Sequence, residues 1–379
     1  MELSSGNGFD IHVPSRMPLS PGRNTDTPGK QPDRLGDRMR SLARFLNPWT
    51  SRSPISHYYA IPSCWLCPGK RIPFALYGRS AQGEPVKILP PHRMYVPSED
   101  GHDRETGPSR VFIRKESAPD LLHYLDSNLD EIIDHPLMDA AGKAEVFYYL
   151  AYRRLEAVYR SPGRLMLTDV KQIIALMIEQ IISHPETLRQ VYDLVQKNAG
   201  RISEHPRSTI LHALNVGILS TFFVTTVLSH LPREIAEEIA LAYFFHNIGM
   251  MLLPRDVVNH RGDLDNRAWE LIRQHPRWGV EIMGRRYPLT PEMGGIIGGH
   301  HERLDGTGYP GALTSANLHF FVKTCAVMDA LHALISRRAY REPLPLVEAL
   351  REVRHRVPRG YDPRIFSQII RVFRAYGLF

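Results

Sequence analysis

His300-His301-Glu302-Arg303-Leu304-Asp305-Gly306-Thr307-Gly308-Tyr309-Pro310 is the stretch on which the reading of this 379-residue chain turns. Two adjacent imidazoles lead into a segment that reads as a tight loop, because glycine permits φ above zero and proline fixes the exit. Working outward, His275, His246 and His212 lie upstream and Asp329 downstream, punctuating successive segments with helical periodicity. A single histidine on an apolar helix is usually a satisfied core residue. Five of them ahead of a carboxylate argue instead for a metal centre, on which helices can converge their ligands. Imidazole with carboxylate suits iron, manganese, nickel or zinc, and the lack of a thiolate pair nearby argues against a sulfur-rich site.

These segments resemble the HD-GYP family, metal-dependent helical domains that recognise and usually hydrolyse bacterial cyclic di-GMP. His212-Ala213-Leu214-Asn215-Val216 is similar to the family's first metal-histidine motif, and His246-Asn247-Ile248-Gly249-Met250 to its His-Asp-x-Gly-Lys. Gln274-His275-Pro276 carries the next histidine, His300 to Pro310 reproduces the naming motif, and Ala326 through Asp329 to His332 resembles the terminal aspartate motif. The resemblance runs roughly from Ile181 to Phe379. It implies that His212, His246, His275, His300, His301 and Asp329 hold metal; one or two divalent ions are expected, iron or manganese first among them. It further implies that Asp305, Gly306, Gly308, Tyr309 and Pro310 form the motif loop, and that Arg338 and Arg341 contact ligand phosphates.

The departures from the family pattern fall at functional positions. Asn247 stands where an aspartate bridges two metals, which removes a formal charge and weakens a second site. Met250 replaces a lysine that contacts phosphate, exchanging a point charge for a soft apolar chain. His332 replaces a second aspartate one helical turn after Asp329, and Ser208 stands where members with three metals have glutamate. At most a dinuclear site is expected.

The rest of the chain bounds this reading. Hydrophobic residues make up 43% and charged residues 23%, ordinary for a chain that buries a core, and a net charge of +7 favours anionic ligands without any long basic block. A nucleic-acid polymer is not the expected partner. Cys64, Cys67 and Cys325 are too few and odd in number for a disulfide framework and fit a reducing, cytoplasmic compartment. Cys64 and Cys67 have half a zinc site's spacing but no second pair, so packing is their expected role. No run approaches 18 consecutive apolar residues, so no transmembrane segment is expected.

The expected fold class is mainly α, an all-α HD-fold helical bundle preceded by a small β-rich domain. Residues 1–52 read as a disordered arm, 53–116 as the β-rich domain, 117–198 as a helical connector and 199–379 as the HD-GYP domain. Strands are expected at His57 to Ile61, Ile72 to Tyr77, Val86 to Leu89 and Arg110 to Ile113. Ser117 is expected to cap the first helix, and further helices are expected at Leu121 to Ile133, Ala144 to Tyr159, Val170 to Ile182 and Thr187 to Lys197. The apolar stripe Ile173, Ile174, Leu176, Met177, Ile181 and Ile182 suits a core and also admits a homodimer.

The resemblance implies a phosphodiesterase converting cyclic di-GMP to pGpG or GMP, attenuated or silenced by Asn247 and Met250. The alternative is an inactive module that binds metal, cyclic di-GMP or a signalling partner such as a diguanylate cyclase. A third reading, an HD-fold phosphohydrolase of another nucleotide, runs against the intact motif loop.

Overall fold

The computed structural model describes residues 57–80, 83–96, 110–135, 138, 140–160, 171–172, 174–175, 178–179, 187–199, 207–260, 262, 264–337, 342–357 and 359–379. The arm at 1–52, Arg338 and Arg341 lie outside the described residues.

Strands β1 (Tyr58–Pro62), β3 (Leu76–Arg79), β4 (Pro85–Leu89) and β6 (Arg110–Arg114) form an antiparallel sheet in the order β1-β6-β3-β4, and β2 (Arg71–Ile72) pairs with β5 (Arg93–Met94). Alternation sets the inner face: Tyr59 and Ile61 on β1 face the core with Val111 and Ile113 on β6. The expected run from Ile72 to Tyr77 is two strands, because Pro73 has no N–H to give to a ladder. The sheet packs on helices through Trp65 stacked on Tyr149 at 6.3 Å and Phe74 edge-on to Tyr124 at 5.9 Å. Cys64 and Cys67 are buried in this seam, where the Cys67 N–H donates to the Tyr124 hydroxyl at 2.8 Å.

Helices follow as α1 (Ala118–Ser127), α2 (Leu129–Ile133), α3 (Ala140–Arg160) and α4 (Thr187–Ala199). The expected single helix to Ile133 breaks at Asn128, whose side-chain amide donates to the Tyr124 carbonyl at 2.8 Å and competes with helix continuation. Ser117 precedes α1 without a side-chain capping bond, so Pro119 in the first turn, not a cap, marks that start. Of the stripe around residues 173–182, Ile174 is buried in the core of this chain, and Ile173, Leu176, Met177, Ile181 and Ile182 lie outside the described residues.

The bundle that carries the histidines is α5 (Arg207–Val227), α6 (Arg233–Phe245), a 3-10 turn (Ile248–Leu252), α7 (Arg255–Val258), α8 (Asn266–Arg273), α9 (His275–Gly284), α10 (Pro291–Gly299), α11 (Phe320–Ile335), α12 (Leu346–His355) and α13 (Pro363–Ala375). By length and composition α5 could cross a membrane, but 83% of its apolar window is buried inside the fold, so its apolarity serves the core. Around it pack α3, α6 and α11, and buried residues from Tyr59 to Leu378 form one contiguous core. Outer helices show one apolar stripe, as in α13, where Ile365, Phe366, Ile369, Val372 and Phe373 face inward behind an Asp362 cap.

Candidate metal centre

Three of the histidines sit where helices end. His246 follows α6, His300 follows α10, and His275 lies two positions beyond the end of α8, as the first residue of α9. The last carbonyls of a helix lack intrahelical partners. Each of these imidazoles points Nδ1 at one of them: His246 at the Tyr243 oxygen (2.7 Å), His275 at the Ile272 oxygen (2.7 Å) and His300 at the Ile297 oxygen (3.0 Å). A carbonyl only accepts, so Nδ1 carries the proton and Nε2 keeps its lone pair.

The lone pairs converge. His275 Nε2 and His300 Nε2 are 3.1 Å apart, and with both protons committed elsewhere neither donates to the other. Burial holds His275 down to about 4, with His246 and His212 adding to it, and burial with the neighbouring histidines holds His300 well below its usual value. His275 and His300 are therefore neutral imidazoles at neutral pH, the form that ligates metal. Two groups have ligand atoms within 4.8 Å of one another: His275, His300 and His301 on one side, and His212, His246 and Asp329 on the other.

Asp329 joins the two sides. Its carboxylate lies 2.8 Å from His212 Nε2, 3.7 Å from His246 Nε2 and 3.7 Å from His301 Nδ1. Burial pushes its carboxyl upward, but the hydrogen bond with His212 at 2.8 Å and the other histidines around it outweigh that and hold it well below the usual carboxylate range. Asn247 adjoins His246, its side-chain amide donating to His246 Nε2 at 2.9 Å. The asparagine thus caps a lone pair that an aspartate would leave open. The donor set fits a divalent metal: facing lone pairs, a central carboxylate and no thiol among them.

The motif loop is fixed from below by Glu302. Its buried carboxylate accepts from the Gly311 N–H at 2.6 Å and the Leu313 N–H at 2.9 Å. Gly306 has φ +77°, and a Cβ at Gly308 would lie 2.3 Å from the Arg303 nitrogen, so both glycines are required as expected. Tyr309 stacks on His301 with ring centroids 4.7 Å apart. Beside His301 opens a groove of about 560 Å³, lined by Trp269, Arg273, Arg303 and Tyr309 among others.

Sequence reasoning assigned no role to Trp269, Arg273, Glu302, Tyr148 or Asn215. Trp269 and Arg273 are four apart on α8, a spacing that puts them on one face; Tyr148 leaves no local signal at all, since it reaches the site from α3. There the Tyr148 hydroxyl donates to Asn215 Oδ1 (2.7 Å) and Asn215 Nδ2 to His332 Nε2 (2.9 Å), while His332 Nδ1 lies 2.8 Å from His212 Nδ1.

Residues 187–365 match the HD domain family. A cyclic di-GMP phosphodiesterase of Pseudomonas aeruginosa is 26% identical over 197 residues, 48% of this chain and 47% of that protein. The cyclic di-GMP phosphodiesterase response regulator RpfG of Xanthomonas campestris is 29% identical over 254 residues, covering 63% and 65%. A 3'3'-cGAMP-specific phosphodiesterase of Vibrio cholerae is 25% identical over 198 residues, covering 52% and 38%. The chain thus spans about half the length of the curated relatives it matches. Among solved structures, the fold is shared with Bd1817, an HDG"Y"P protein from Bdellovibrio bacteriovorus, at TM-score 0.56 and 18% identity, over 84% of this chain and 99% of that one. Mainly helical, with a small antiparallel sheet at its N-terminal side and the histidine motifs converging on one centre, the chain matches the HD domain over residues 187–365 and shares the fold of an HDG"Y"P protein.

Proposed function

We propose that this chain is a metal-dependent phosphodiesterase acting on cyclic di-GMP in bacterial second-messenger signalling, with turnover attenuated by Asn247 and Met250. The observation that carries this reading is the pair of facing lone pairs on His275 and His300 beside the Asp329 carboxylate. His275, His300 and His301 would hold one divalent ion, and His212, His246 and Asp329 a second, more weakly because Asn247 brings no charge. Iron or manganese suits this nitrogen and oxygen donor set. A bound ion lowers the pKa of water and stabilises charge developing at phosphorus.

The chain's own residues supply binding and orientation. Arg273 and Arg303 line the groove beside His301 and offer guanidiniums to two phosphates, while exposed Trp269 offers a face for guanine. Arg338 and Arg341 would add phosphate contacts. Met250 gives up the charge of the family lysine, so Arg273 and Arg303 carry more of the binding. None of the three cysteines forms a disulfide, in keeping with a cytoplasmic setting.

A second reading is favoured by the Asn247 amide on His246 Nε2: an ion-binding receptor that holds cyclic di-GMP without cleaving it, or docks a signalling protein such as a diguanylate cyclase. Incubation of the full chain with cyclic di-GMP and Mn²⁺ or Fe²⁺ under reducing conditions separates the two. Formation of pGpG that His300→Ala abolishes supports the phosphodiesterase; tight binding without product supports the receptor.

A further inference from the structure

Helix α8 turns one face to the groove beside His301. Asn266, Trp269, Glu270 and Arg273 all line that groove, and positions three, four and seven residues after Asn266 share a single helix face. The C-terminal end of this face lies beside the candidate metal centre: the Arg273 guanidinium is 5.8 Å from the centre of the Tyr309 ring, which stacks on His301 at 4.7 Å. At a helical rise of about 1.5 Å per residue, Glu270 and Trp269 sit about 4.5 and 6 Å back along the axis from Arg273. That is the scale on which one ribose separates a phosphate from its own base. A phosphate held by Arg273 therefore brings a base to Trp269 and Glu270.

A carboxylate is out of place in this groove unless it meets a donor. An exposed glutamate on a helix is ordinarily part of a solvated face. Glu270 instead shares a groove with Arg273 and Arg303, and it has no hydrogen-bond or ion-pair partner among the described residues, although Arg273 stands one turn away. It repels the phosphates that those arginines attract. One part of a nucleotide reverses the sign. The Watson–Crick edge of guanine carries two adjacent donors, N1–H and the N2 amino group, and a carboxylate, which only accepts, takes both through its two oxygens. The same edge of adenine has a lone pair at N1 and no amino group at C2, so it faces the carboxylate with a repelling acceptor.

We infer that Glu270 is the residue that selects guanine: with the base lying on Trp269, its carboxylate accepts from N1–H and the N2 amino group of the nucleotide whose phosphate Arg273 holds. The inference rests on the cyclic di-GMP reading above and adds to it the contact that separates guanine from adenine. Trp269 attracts either purine, because stacking does not read the base edge. Glu270 supplies the difference between them.

Competition for a fluorescent cyclic di-GMP, on the full Mn²⁺-loaded chain and read before turnover consumes the probe, tests this with unlabelled cyclic di-GMP and cyclic di-AMP. The natural chain should prefer cyclic di-GMP by about tenfold or more, the scale of a bidentate base contact. Glu270→Ala keeps the helix, since alanine is its best former, and removes a negative charge, so electrostatics alone would tighten both ligands. The inference predicts opposite responses: cyclic di-GMP weakens by about tenfold or more, while cyclic di-AMP binds as before or more tightly. A Glu270→Ala chain that holds cyclic di-GMP unchanged or more tightly, or that loses both ligands equally, overturns the inference and leaves the phosphodiesterase reading standing. So does a natural chain that binds both nucleotides equally. A natural chain that binds neither overturns that reading, and the inference with it.

Discussion

The Nε2 atoms of His275 and His300 face each other at 3.1 Å, and the carbonyls behind both rings have already taken the protons that would have joined them. Two lone pairs in contact are repulsive until a cation lies between or beside them. Metal loading should therefore stabilise the fold: with free Mn²⁺ at about 100 times its Kd, linkage adds about 2.7 kcal/mol. Thermal unfolding before and after chelation measures this. Tm should fall on chelation in the natural chain and remain unmoved in His275→Ala.

Metal-free protein should lose stability as pH falls through the range set by His275. Burial, with His246 and His212 adding to it, holds this ring at about 4, against about 6.5 when unfolded. Between those values the unfolded chain binds the extra proton, so the stabilising contribution is complete above about 6.5 and is lost as pH falls toward 4. Its full size is on the order of 3 kcal/mol. Asp329, held below the usual carboxylate range by His212 and the neighbouring histidines against the upward push of burial, acts in the same direction only at lower pH. Urea midpoints from pH 7.5 to 4.5 in chelator test this, and a flat profile would contradict it.

The close approach of the turn after His246 to α9 should tolerate no side chain at Gly249. A Cβ there would lie 2.0 Å from the His275 carbonyl oxygen, in the backbone that carries a ligand. Gly249→Ala should destabilise by about 1–3 kcal/mol, the cost of overpacking, and reduce metal uptake. Unfolding midpoints together with elemental analysis measure both effects.

Much of this centre was legible in the chain because its ligands are chemically distinctive and punctuate helices: type and order singled out five histidines ahead of a carboxylate, the family resemblance named Asp329 with them as the ligand set, and their convergence follows from helix ends meeting at one point. What supports them was not. Glu302, Asn215 and Tyr148 act through atoms whose partners depend on tertiary packing, and Tyr148 is 67 residues from Asn215. The same limit appears in the fold, where periodicity located Leu121 to Ile133 as helical but the Asn128 side chain divides it.

Glu302 should hold the motif loop in place. Glu302→Gln puts an amide opposite the N–H groups of Gly311 and Leu313, and leaving one of them unpaired costs about 1–3 kcal/mol. Amide exchange at Gly311 and Leu313 should accelerate in this variant while that of α5 is unchanged.

Restoring the family charge should strengthen the weaker side. Asn247→Asp frees His246 Nε2 from the amide that now donates to it and adds a carboxylate, so metal affinity should rise by about tenfold or more. Metal content per chain after dialysis measures it, and unchanged content would show that Asn247 is not the limiting position.

The most direct test of the account is turnover of cyclic di-GMP by the full chain stripped of metal and then reloaded with Mn²⁺ or Fe²⁺. The account predicts no product from the stripped protein, slow formation of pGpG on reloading, and none from reloaded His300→Ala. Product formed equally by the stripped protein, or no product from a reloaded chain that carries its metal, would contradict it.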